Sequence, residues 1–140
     1  MGLSQSIQKV NFEDVQRVIK TRDALLINTF PENEQQCLIS NTVIAQQEEE
    51  IINQHLLRGS RSIKIIIYGK NTNDDTLQKK YIQLQKLGFN NIYVYLGGMF
   101  EWLLLQDIYG SDEFMTTSKT VDILKFKPRQ VMSVQLLGYV

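Results

Sequence analysis

Apolar residues at Phe12, Val15, Val18 and Ile19 recur at helical spacing, which predicts a short amphipathic helix over Phe12–Lys20. Asn11 precedes it and Asp14 follows three residues on, the pattern of a capping box. The pattern then changes period. Ala24–Asn28 is continuously apolar up to its last residue, as expected of a strand covered on both faces. Pro31–Gln36 is polar and predicts at most one helical turn, and Asn41–Ala45 reads as a second strand. Gln46–Leu57 returns to helical spacing, with Ile51, Ile52 and Leu56 on one side and Gly59-Ser60 ending it. Ile63–Tyr68, crowded with β-branched residues, is the strongest strand signal in the chain. A helix over Thr76–Leu87 follows, with Tyr81, Leu84 and Leu87 as its apolar stripe and Asp74 or Asp75 as its cap. Gly88 closes it, Asn90-Asn91 turn, Ile92–Leu96 reads as a strand, and Gly97-Gly98 opens a helix through Met99–Gln106. Val121–Lys125 reads as a further short helix.

Apolar strands alternating with helices predict an α/β fold, a parallel sheet flanked by helices on both faces, in a single domain. The divisions expected are a loose N-terminal segment over 1–10, a domain over 11–110, and a C-terminal extension over 111–140. Val131, Met132, Val134, Leu136 and Leu137 are expected to pack that extension back on the domain. Ligands of such sheets bind beyond the carboxyl ends of the strands. The loops to inspect are therefore Thr29–Gln36, Gly69–Asp75 and Leu96–Met99.

Fifteen basic residues balance fifteen acidic ones, so the net charge offers no case for a nucleic-acid partner. The single Cys37 cannot form an internal disulfide, which fits a reducing intracellular setting. No apolar run reaches the roughly 18 residues of a membrane span, and the start of the chain does not read as a secretory signal.

Four stretches carry a resemblance to a known family. They are Leu25-Leu26-Ile27-Asn28-Thr29-Phe30-Pro31-Glu32, then Cys37-Leu38-Ile39-Ser40-Asn41-Thr42-Val43, then Ile65-Ile66-Ile67-Tyr68-Gly69, and finally Leu87–Trp102, which contains Tyr93-Val94-Tyr95-Leu96-Gly97-Gly98. Together they resemble the rhodanese-like domain over roughly Val10 to Gln106, and the wording is similar to rhodanese-like proteins of large DNA viruses of protists. The resemblance implies a rhodanese-like parallel sheet, with an active loop that opens on a nucleophilic Cys directly after the strand ending at Tyr68. Loop amides and the following helix would hold an anion there and lower the thiol pKa.

The departures lie where that chemistry would sit. Gly69 stands at the position of the Cys and supplies no nucleophile. Asp74 stands where phosphatase-like members keep an Arg, and a carboxylate repels an anion. Asn28 and Phe30 replace a strand-end Asp and Arg, and Leu38 replaces a His. Gly69, Lys70, Asn71, Thr72, Asn73, Asp74 and Asp75 therefore form a degenerate active-site loop, with no catalytic residue and no cofactor assigned.

Other chemistry-bearing residues weigh less. Cys37 reads as a small buried hydrophobe before it reads as a relocated nucleophile. His55 reads as a solvated helix residue, and one Cys with one His falls short of a zinc set, so no metal is expected. Gly69-Lys70-Asn71-Thr72 lacks the first Gly of a nucleotide loop. Asp74-Asp75 read as a helix cap rather than a cation site. Phe100 and Trp102 read as core rather than as a partner contact. Met1-Gly2-Leu3-Ser4-Gln5-Ser6 fits the N-myristoylation pattern, with Gly2 as the acceptor and a membrane surface as its target. The functions expected are an inactive binding or scaffold module with an unspecified protein partner, a sulfurtransferase or phosphatase-like enzyme using another nucleophile, or a lipid-anchored viral structural protein. The expected location is the host cytoplasm, at a membrane or in the virion.

Overall fold

The structure, a computed structural model, describes residues 7–132. Gly2 and the apolar Val134, Leu136 and Leu137 lie outside the described residues. Chain order is β1 (Lys9–Val10), α1 (Phe12–Thr21), β2 (Ala24–Asn28), a 3-10 turn (Glu32–Glu34), α2 (Ala45–Arg58), β3 (Lys64–Tyr68), α3 (Thr76–Lys86), β4 (Ile92–Tyr95), α4 (Gly98–Tyr109) and a 3-10 turn (Ile123–Phe126). The four strands form one sheet in the order β1-β4-β3-β2, and every pairing is parallel.

The pleat sorts side chains to two cores, because successive strand residues face opposite ways. Leu26, Ile66, Tyr68 and Tyr95 join Val15, Val18 and Ile19 of α1 and Met99, Trp102 and Leu103 of α4. Ile27, Ile65, Ile67, Ile92 and Val94 face the other side, against Ile52 of α2 and Leu77 and Leu84 of α3. Helices thus cover both faces, and the continuous apolar strands follow from that double burial.

Local signals held where a cap or a run was unambiguous. Asn11 accepts from the Glu13 and Asp14 amides while Asp14 accepts from the Asn11 amide, completing the capping box. Gly59 ends α2 in the left-handed conformation at φ 74°. Four expectations are corrected. Asn41–Ala45 is not a strand: Asn41 turns left-handed at φ 68°, Thr42 alone bridges Leu26, and Ala45 already begins α2. Lys9–Val10, expected to be loose, pairs with Val94 and Tyr95 as an edge strand. Leu87 caps α3 and is 40% exposed, while Leu77, one turn before Tyr81, is the buried residue at the other end of the stripe. Val131 and Met132 are exposed and do not pack on the body.

Candidate functional site

The three loops named above converge at the carboxyl edge of the sheet. Gly69 follows the last residue of β3 directly, and the loop runs to Asp75 before α3. A Cβ built on Gly69 would collide with the Asp74 carboxylate, meeting its Cγ at 2.9 Å. The space in front of Gly69 is therefore filled from within the same loop.

Asp74 is held there by donors on both oxygens. Its Oδ2 accepts from the Lys70 amide at 2.8 Å. Its Oδ1 accepts from the Thr76 amide at 3.0 Å and from the Thr76 hydroxyl at 2.5 Å. Thr76 Oγ1 also lies 2.7 Å from Thr29 Oγ1, so the Thr29 hydroxyl is left to donate to Thr76. Hydrogen bonds to an ionised acceptor are the stronger kind. The carboxylate thus occupies a ring of donors as a covalently attached anion. Asp75 is the formal cap of α3 but makes no side-chain cap bond; Asp74 supplies the acceptor instead.

Two further contacts fix the loop. Asn71 is buried; its Oδ1 accepts from the Asn73 amide at 2.8 Å and its Nδ2 donates to the Phe126 carbonyl at 2.9 Å. The start of α4 presses on the loop from the other side. The Met99 and Phe100 amides donate to the Gly69 and Lys70 carbonyls at 2.9 and 2.8 Å. Gly98 has φ +68°, and a Cβ there would lie 2.6 Å from the Gly69 carbonyl oxygen. Both the left-handed backbone and the close approach require glycine at that position. Nearby, the buried Tyr95 hydroxyl donates to Glu101 at 2.5 Å; burial, then the bond and charge of Glu101, push its pKa well above the ordinary tyrosine range.

The remaining expected residues fall into structural roles. Asn28 is 2% exposed, and its Oδ1 accepts from the Phe30 amide at 2.8 Å. Phe30 stacks on Phe126 with ring centroids 5.8 Å apart. Leu38 is core. Cys37 is buried, and its thiol donates to the Ser118 carbonyl at 3.3 Å, away from the residues that line the loop. Trp102 is fully buried, packs edge-on against Tyr95 and Phe114, and donates to the Met115 carbonyl. Phe100 packs against the same core. His55 sits on α2 and is not brought to the loop. Among the described residues, no group of three or more His, Cys, Asp or Glu could hold a metal ion.

Above the loop lies an open cleft of about 710 Å³. Its floor is Asn71 and Asn73–Thr76, one wall is Thr29–Pro31, and the other is the C-terminal extension with Lys125, Lys127 and Arg129. Sequence reasoning left these three cations unassigned, although the stretch Lys125-Phe126-Lys127-Pro128-Arg129 shows an apolar anchor between basic residues.

The rhodanese-like domain family model matches residues 12–105. No curated protein matches the chain. Among solved structures, similar folds include the BH2092 protein from Bacillus halodurans, 18% identical over 74% of each chain with a TM-score of 0.56. Another is a yeast protein tyrosine phosphatase of the rhodanese family, 14% identical over 85% of this chain and 97% of that one, TM-score 0.58. The Alr3790 protein from Anabaena sp. is 13% identical over 83% of this chain and 97% of that one, TM-score 0.55. At these identities the likeness is one of fold.

Proposed function

Because the chain belongs to the rhodanese-like domain family through residues 12–105, we propose that it is a catalytically inactive member acting as a binding or scaffold module. The carrying observation is the Asp74 carboxylate seated in front of Gly69. Thiol-based transfer needs a thiolate at the first loop position and room for an anion beside it. Gly69 has no side chain and so offers neither a thiol nor a hydroxyl. Asp74 fills the room and would repel a thiosulfate or phosphate by like charge. The same two residues argue against carrying over the phosphatase activity named for the yeast relative.

Purified protein incubated with thiosulfate and cyanide, and separately with an aryl phosphate, is expected to show no turnover above buffer. Turnover of either substrate would overturn the reading, and its disappearance in Cys37→Ala would assign it to the rival enzyme. The rival enzyme would use Cys37. Its burial and its bond to Ser118 weigh against this, and iodoacetamide labelling of the native protein is expected to be negligible.

A membrane tether is a compatible second feature, favoured by Gly2 in the pattern Met-Gly-x-x-x-Ser. No helix among the described residues is long and apolar enough to cross a membrane, so attachment by this route would rest on the acyl chain. One myristoyl group binds membranes only marginally. A lipid-anchored role in a virion or at a host membrane stands or falls with that modification. Co-expression with a myristoyltransferase should add one acyl mass to the intact chain, and Gly2→Ala should remove it.

A further inference from the structure

We propose that the cleft over the degenerate loop is a docking site for an extended, acidic peptide segment of a partner protein, read by Lys125, Lys127 and Arg129. This rests on the binding-module reading and gives that module its class of ligand.

Three observations carry it. The first is charge. Lys70, Lys125, Lys127 and Arg129 line the cleft against two carboxylates, Asp74 and Asp75. Lys70 is engaged by Glu34 at 2.7 Å. Asp74 accepts only from neutral donors, the Lys70 and Thr76 amides and the Thr76 hydroxyl, so its charge stays in the balance. Three cations of the extension thus face two carboxylates, Asp74 at the floor and exposed Asp75, and the positive excess lies at the rim. Among the described residues, no ion pair involves Lys125, Lys127 or Arg129. In a chain whose charges sum to zero, this concentration at one edge is a local positive field, and a concave site focuses such a field.

The second is placement. Phe126 is 4% exposed, stacks on Phe30, and its carbonyl accepts from Asn71. That anchor holds the neighbouring Lys125 and Lys127 at the mouth of the cleft while their own side chains are exposed. Lys125 and Lys127 are thus carried on an anchored segment, which lowers the ordering cost of binding, and Arg129 follows two residues further along the same rim.

The third concerns the occupant. The cleft is open and about 710 Å³, within the range of a bound small ligand or a few residues of extended chain. Neither residues 1–6 nor residues 133–140 contain an Asp or Glu. The acidic complement therefore does not come from those segments. A small anion in the loop itself is disfavoured because Asp74 already sits among the donors. A segment with several carboxylates, spaced to meet three cations along the rim, fits better.

The test uses the full chain and a fluorescein-labelled decapeptide of alternating Glu and Ala, beside a version with Gln for every Glu. Fluorescence anisotropy should report binding of the Glu peptide alone, weakened about tenfold between roughly 50 and 500 mM salt. The triple substitution Lys125→Gln, Lys127→Gln, Arg129→Gln should weaken it at least about tenfold, since each removed contact is a rim charge. These side chains are exposed, so an unchanged circular dichroism spectrum and melting curve will show that the fold survives. Substituting Lys79 and Lys86 on α3 should leave binding intact. No binding of the Glu peptide, equal binding of both peptides, or indifference to the triple substitution would each overturn the proposal. So would salt-sensitive self-association that the same substitution abolishes, because the occupant would then be a second copy. Turnover is measured separately. Failed peptide binding with no turnover removes only the ligand class, whereas thiosulfate or phosphate turnover removes the module reading itself.

Discussion

The Asp74 carboxylate gathers the donors of its loop, two amides and a hydroxyl, and single substitutions should expose that role. Asp74→Ala removes acceptors for two amides and a hydroxyl, so it should cost roughly 2 kcal/mol of stability, read as a lowered urea midpoint. Gly69→Cys puts sulfur in the right register but against the Asp74 carboxylate. The lone variant should be destabilised and its new thiol slow with iodoacetamide. Gly69→Cys with Asp74→Ala should label faster, because the collision is gone and the Lys70 and Thr76 amides are free to face a thiolate. Equal labelling of the two variants would show that Asp74 does not guard the position. Gly98→Ala must adopt a left-handed backbone and meet the Gly69 carbonyl, so a loss of about 2 kcal/mol or more is expected.

At the scale of elements, the C-terminal extension is part of the site. Phe126 bridges Phe30 and Asn71, so Phe126→Ala should cost about 3 kcal/mol, as for other buried aromatics, and should loosen the loop it anchors. Hydrogen exchange at Asn73, whose amide donates to the Asn71 side chain, should quicken in that variant; an unchanged rate would mean that the loop holds itself. Sequence periodicity located α1, β2, β3 and β4 within a residue or so, because α1 carries a cap, β2 a continuous apolar run, and β3 and β4 β-branched and aromatic residues. It missed β1, whose two residues hold only through pairing with Val94 and Tyr95. It over-read Asn41–Ala45, where a left-handed Asn41 is followed by a single bridge at Thr42 before α2 begins at Ala45. The place of Gly69–Asp75 in the loop between β3 and α3 was legible from the strand and helix patterns that flank it. The seat of the Asp74 carboxylate in front of Gly69 was not, since it depends on a side-chain path that spacing alone does not fix. The cations of the extension went unread for the same reason: nothing local says that Phe126 folds back onto Phe30.

Across the whole molecule, two phenols tie the sheet to its surroundings. The Tyr68 hydroxyl accepts from the Ile39 amide at 3.1 Å and shares a 2.7 Å bond with Thr42, while that of Tyr95 reaches Glu101. Burial, the largest cause in each case, raises both pKa values above the unfolded value of 10.0. A neutral phenol is thus favoured by folding. The stabilisation is complete below about pH 10 and is lost as pH climbs above it, because the unfolded chain ionises first. Urea midpoints should hold steady from pH 7 to 9 and fall steeply beyond pH 10, less steeply in Tyr95→Phe; a flat profile to pH 11 would contradict the assignment. On the proposed inactive reading, Asp74 also bears on ancestry. A thiol placed at Gly69 alone would meet a carboxylate, and removing the carboxylate alone would uncover no sulfur. Two coincident changes would then be needed before selection had thiol chemistry to favour, and the state would behave as a ratchet.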